Sequence, residues 1–127
     1  MTKEEKLKDI TLLYVEDDDL IRKSVSRFLA RRCNKLIEAS NGAEGLRAFN
    51  EHLPALVITD IEMPVMNGME MIETILKQDS HQPIIITTGY DDDEHKNNKV
   101  SQNIIKPINL KELTESICTA LDLKDDE

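Results

Sequence analysis

The chain contains no tryptophan, and its four other aromatic side chains, Tyr14, Phe28, Phe49 and Tyr90, are scattered along 127 residues. Such spacing offers no platform for stacked bases. Basic residues are also short: 16 Lys and Arg stand against 25 Asp and Glu, for a net charge of -9. A surface that tracks nucleic-acid phosphates needs the opposite balance, so direct nucleic-acid binding is not expected. No apolar run approaches the length of a membrane span. The opening residues, MTKEEKLKD, are polar and hold no signal-peptide core. A cytoplasmic protein without membrane insertion is expected. Cysteine is limited to Cys33 and Cys118, far apart and in no metal-type spacing, which fits two free thiols in a reducing compartment. His52, His81 and His95 are equally isolated and read as surface residues rather than ligands.

What the chain does contain is a repeated pattern. Five short apolar runs are each the length of a strand: ITLLYV (10–15), KLIEA (35–39), ALVIT (55–59), PIIITT (83–88) and NIIKP (103–107). The first, third and fourth are nearly continuous rather than alternating, as suits strands covered on both faces of a parallel sheet. Between the runs, apolar residues recur at helical spacing: Ile21, Val25, Phe28 and Leu29; Ala43, Leu46, Phe49 and Leu53; Met69, Ile72 and Leu76; Leu110, Leu113, Ile117 and Leu121. Asn41 before Glu44 and Asn109 before Glu112 mark two helix starts. The stretch GYDDDEHKNNKVSQ (89–102) is poor in apolar residues, so the fourth helix is expected to be short or irregular. The terminal KDDE reads as a frayed end.

Alternating β and α elements imply an α/β fold, a doubly wound five-stranded parallel sheet with right-handed crossovers. At this length one domain, residues 1–127, is expected. Ligands in such sheets sit outside the carboxyl ends of the strands. Strand 1 ends in Glu16 and Asp17, strand 3 in Asp60 with Glu62 beyond, strand 4 in Thr87, Thr88 and Gly89, and strand 5 in Lys106 and Pro107. With strand 1 central, followed by strands 3, 4 and 5, these groups converge. Asp17 to Asp19 as mere helix caps, or Asp60 as one satisfied polar group, would explain each acid singly, but not the combination over several strand ends.

Three carboxylates in one crevice repel strongly, by roughly 4 kcal/mol per pair at 4 Å and an effective dielectric near 20. Lys106 supplies one compensating charge. An all-oxygen donor set suits a hard divalent ion, with few carboxylates and water favouring Mg²⁺. A carboxylate beside Mg²⁺ and Lys106 can attack a phosphoryl group and form an acyl phosphate. Thr88 can hydrogen-bond a transferring oxygen, and Gly89 leaves space above the site. The chain has no G-x-x-x-x-G-K-[ST] loop for a nucleotide, so the phosphoryl donor must be another molecule.

From about residue 10 to 122 the sequence resembles the receiver domain of two-component response regulators. The resemblance rests on LLYVEDD (12–18), LVITDIEMPVMNG (56–68), PIIITTG (83–89) and NIIKPI (103–108). It implies a flavodoxin-like strand order, 2-1-3-4-5. It implies that Asp60 is the phosphoacceptor, that Asp17 binds Mg²⁺ directly, and that Glu16 helps directly or through water. The main-chain carbonyl of Glu62 completes the protein ligands. Thr88 and Lys106 contact the phosphoryl group, and the Lys106–Pro107 bond is expected to be cis. The donor is a histidine kinase or phosphotransfer protein, and the output is a downstream protein or fused domain. The chain is then a phosphorylation-dependent switch and not an enzyme acting on other molecules.

Two departures stand out. The family's usual aromatic, three residues before the lysine, is Asn103 here, and the stretch from Thr88 to Lys106 is about one helical turn short. An ordering or shift of residues 91–102 on phosphorylation is expected to replace the aromatic switch. Two other classes of function compete with the switch. One is a phosphohydrolase with an aspartyl nucleophile, faintly suggested by Asp60 and Glu62 at i and i+2. The other is a passive Mg²⁺- or Ca²⁺-binding module.

Overall fold

The computed structural model describes residues 1–63, 65–90 and 99–127. Its five strands are β1 (Thr11–Val15), β2 (Lys35–Ala39), β3 (Leu56–Asp60), β4 (Ile84–Thr88) and β5 (Gln102–Ile105). They form one parallel sheet in the order β2-β1-β3-β4-β5. Among the described residues five helices accompany them: α1 (Lys3–Leu7), α2 (Asp19–Ala30), α3 (Gly42–His52), α4 (Gly68–Gln78) and α5 (Leu110–Ala120). The expected doubly wound sheet and its strand order are therefore present. The short or irregular helix expected between β4 and β5, and most of the segment expected to shift, fall on residues 91–98, outside the described residues.

The continuous apolar runs became the strands covered on both faces. Every residue of β3 and of β4 is buried. Because side chains alternate along a strand, each run feeds two cores. On one face Leu12, Tyr14, Ile58, Ile85 and Ile104 pack with Val25 and Leu29 of α2 and Leu113 and Ile117 of α5. On the other, Leu13, Val15, Val57, Ile84 and Ile86 pack with Phe49 of α3 and Met71, Ile72 and Ile75 of α4. Burying one such side chain contributes about 1.5–3 kcal/mol. The edge strand β2 is more polar, with Lys35 and Glu38 exposed.

The four longer helices each start on an acceptor side chain. Asp18, Asn41, Asn67 and Asn109 accept from the backbone N–H groups of Ile21, Glu44, Glu70 and Glu112 at 3.0, 2.9, 2.9 and 2.9 Å. Each such cap is worth about 1 kcal/mol.

Both ends of the chain make defined contacts, the C-terminal one against expectation. MTKEEKLKD contains α1, started by a capping box in which Thr2 and Glu5 each accept the other's N–H. Leu7 then enters the core at 1% exposure. KDDE is not frayed: Asp126 N–H donates to the Met1 carbonyl at 2.9 Å, and Lys6 reaches the Asp126 carboxylate at 2.8 Å.

Candidate functional site

The carboxyl ends of β1, β3 and β5 bring Glu16, Asp17, Asp60 and Lys106 together. Glu16 follows β1 and is fully buried, while Asp60 is the last residue of β3 and 6% exposed. Asp17 is exposed, yet its carboxylate reaches the same spot: one oxygen each from Glu16, Asp17 and Asp60 lie within 4.8 Å of one another. Lys106, one residue past β5, extends across the sheet. Its Nζ lies 2.8 Å from Glu16 Oε1 and 3.4 Å from Asp60 Oδ2.

Strand register makes this possible. Asp60 lies beside Thr87 on β4, and Thr87 lies beside Ile104 on β5. Lys106 follows Ile104 by two residues and so emerges on the same face as Asp60. The Lys106–Pro107 bond is cis, as expected.

Backbone donors hold the acids in place. Asp18 N–H donates to Glu16 Oε2 at 3.2 Å, and Glu62 N–H to Asp60 Oδ1 at 3.4 Å. The loop after β3 closes tightly. Gly68 N–H donates to the Ile61 carbonyl at 3.0 Å, and a Cβ on Gly68 would collide with the Asp60 carbonyl. Gly42 N–H ties the start of α3 to the Met66 carbonyl at 3.0 Å. Thr88 is buried, and its Oγ1 accepts from Tyr90 N–H at 3.2 Å, which leaves its own proton to donate. A Cβ on Gly89 would meet no described atom within 4 Å.

The charges are strained. Burial pushes the Asp60 carboxyl above the ordinary range, against the opposing pull of Lys106, and the Asp17 charge adds to the rise. Burial likewise raises Glu16, again opposed by Lys106. For Lys106 burial works the other way, but Glu16 and Asp60 outweigh it and hold its ammonium protonated. Among the described residues the pocket thus sets three carboxylates against one lysine. A hard divalent cation fits this donor set of three converging carboxylate oxygens.

Sequence reasoning missed Arg22. Its guanidinium donates to the Glu16 carbonyl at 2.8 Å and to Asp19 Oδ1 at 2.6 Å. The i, i+3 spacing of Asp19 and Arg22 was the available signal. It also missed Asn67 as the cap of α4.

A parallel 2-1-3-4-5 sheet with an acidic cluster and a lysine at its carboxyl edge defines a class of protein, and comparison with known proteins agrees. The sequence profile of the response regulator receiver domain matches residues 12–118. The chain belongs to that family. The transcriptional regulatory protein AfsQ1 of Streptomyces coelicolor is 35% identical over 83 residues, covering 65% of this chain and 36% of that protein. The cyclic di-GMP phosphodiesterase of Thermotoga maritima is 33% identical over 116 residues, covering 88% of this chain and 31% of that protein. The chain thus spans about a third of each of these relatives. A CheY-like response regulator receiver domain protein of Methanospirillum hungatei superposes with a TM-score of 0.83 at 30% identity, covering 90% of this chain and 94% of that one. No helix among the described residues is long and apolar enough to cross a membrane.

Proposed function

We propose that the chain is a single receiver module, residues 1–127 with a core of about 10–122, in which Asp60 accepts a phosphoryl group from a histidine kinase or phosphotransfer protein. The observation that carries this reading is the buried Asp60 carboxylate, 3.4 Å from the Lys106 ammonium and clustered with Glu16 and Asp17. Rigid placement in the sheet, rather than an acid–base partner, makes Asp60 the nucleophile.

In the reaction, an Asp60 oxygen forms a bond to phosphorus while the donor's P–N bond breaks. The electron pair of that bond stays on the donor imidazole, and Asp60 becomes an acyl phosphate. Lys106 pairs with a phosphoryl oxygen, and the Thr88 hydroxyl donates to another. Asp17 and Asp60, with Glu16 directly or through water and the Glu62 carbonyl, are the residues that would hold Mg²⁺. When bound, the ion neutralises charge on the transferring oxygens. Hydrolysis of the acyl phosphate at the same site resets the switch, so the only catalysis is on the module itself.

The donor must approach over the strand ends. Leu20 at 82% exposure and Ile21 at 36% stand beside this edge. With Lys106, Pro107 and Ile108 they line a groove of about 570 Å³. Such an exposed apolar face beside the site supports docking of a protein donor. Phosphorylation then changes binding to a downstream protein or fused output domain, and the module works in the cytoplasm. Its relatives' larger size supports a fused output.

Intact mass after incubation with acetyl phosphate tests the reading. One added phosphoryl group is expected for the wild type with Mg²⁺, and none without the ion or in Asp60→Ala. An adduct that survives in Asp60→Ala would refute it. So would a wild type that takes up neither phosphate nor beryllofluoride.

A further inference from the structure

The turn between β1 and α2 carries four acids in a row, Glu16 to Asp19. Three have fixed tasks. Glu16 meets Lys106 and the Asp18 N–H, Asp18 caps the Ile21 N–H, and Asp19 meets Arg22. Asp17 remains exposed, yet it must meet Glu16 and Asp60 within 4.8 Å. Something must hold the turn in that shape against the repulsion of its own charges.

Arg22 is built to do so. Its side chain is only 15% exposed. One terminal nitrogen donates to the Glu16 carbonyl at 2.8 Å and the other to Asp19 Oδ1 at 2.6 Å. Its Nε lies 3.7 Å from Glu38 on β2, and Glu38 accepts from Ser26 Oγ at 2.8 Å. One planar, always-charged group therefore braces both ends of the turn and is itself braced against the neighbouring strand. The Glu16 carbonyl and the Asp17 N–H share one rigid peptide plane. Fixing the carbonyl fixes the direction in which Asp17 leaves the strand.

We propose that Arg22 is a positioning residue for the cation site: its clamp on residues 16–19 sets Asp17 beside Glu16 and Asp60 and thereby sets the affinity for Mg²⁺. This rests on the reading that these three carboxylates hold the ion.

Charge and geometry predict opposite signs. Arg22 is a cation that also neutralises Asp19, so on charge alone its removal tightens Mg²⁺ binding. If the clamp governs, removal weakens binding. Outer residues that orient metal ligands typically alter affinity by about 10- to 100-fold.

Calorimetric Mg²⁺ titration of the wild type, Arg22→Gln and Arg22→Lys decides between them. Lysine keeps the charge and the aliphatic stem but cannot span both acceptors in one plane, and it carries the test if the glutamine variant folds poorly. Both variants are expected to bind about tenfold more weakly, and their Asp17 and Asp18 amides to exchange faster with solvent before any ion is added. Unchanged or tighter binding in either folded variant overturns the proposal. A wild type that binds no Mg²⁺ overturns the cation site itself, and that outcome is visible before any variant is compared.

Discussion

Replacing Lys106 with Met isolates the electrostatics of the site. The two side chains are similar in length, so packing changes little. What is lost is, among the described residues, the one cation that meets the carboxylates of both Glu16 and Asp60, whose side chains are 1% and 8% exposed. An ammonium at 2.8 Å from one carboxylate and 3.4 Å from the other is screened less than a surface ion. Breaking a buried pair by removing one partner typically destabilises by about 3–5 kcal/mol. Here the carboxylates can escape by taking up protons, so about 2–3 kcal/mol is expected at pH 7.5 without divalent ions.

The sign of the pH dependence follows from the raised carboxyls. In the folded protein Glu16 and Asp60 hold protons to a higher pH than in the unfolded chain. Stability therefore falls as pH rises from the ordinary carboxylate range through their raised values, and stays low above them. Removing Lys106 lifts those values further. The loss in Lys106→Met should thus shrink markedly between pH 7.5 and pH 5. Urea unfolding measures this directly. With a slope of about 2 kcal/mol/M, the midpoint falls by about 1–1.5 M at pH 7.5 and by much less at pH 5. Added Mg²⁺ should restore more stability to the variant than to the wild type. Equal losses at both pH values, or no loss at pH 7.5, would refute the view that Lys106 compensates buried charge.

Other substitutions probe the frame. Gly68→Ala sets a Cβ against the Asp60 carbonyl, so a loss of about 2 kcal/mol or more and slower phosphorylation by acetyl phosphate are expected, checked by urea unfolding and intact mass. Val65 is a β-branched residue at φ 69, so Val65→Asn should raise stability by about 1 kcal/mol in the same unfolding assay. The Tyr14 hydroxyl is buried without a partner among the described residues, so Tyr14→Phe should leave stability unchanged or raise it by about 1 kcal/mol, and a loss above 1 kcal/mol would contradict that.

Much of the fold was legible because strands buried on both faces cannot hide. PIIITT reads as β4 to within a residue, and KLIEA matches β2 at both ends. The placement of the site followed from topology, since a parallel sheet delivers strand ends to one edge. Asp60 was legible as a carboxylate ending an apolar run, and Lys106 as a cation at the end of another. What stayed hidden depends on tertiary neighbours. Leu7 in a highly charged segment reads as surface until α5 and the sheet surround it. Arg22 reads as one basic residue on a helix until its side chain turns back to the Glu16 carbonyl. The terminal KDDE reads as loose because its partners, Met1 and Lys6, lie at the far end of the sequence.

The central claim, that Asp60 carries the phosphoryl group, is tested most directly by borohydride reduction after phosphorylation. An acyl phosphate is reduced to an alcohol, converting the modified aspartate to homoserine. Peptide mass mapping is expected to find homoserine at residue 60 alone, and only after Mg²⁺-dependent phosphorylation. Homoserine at Asp17, Asp18 or Asp19 with residue 60 intact would contradict the account.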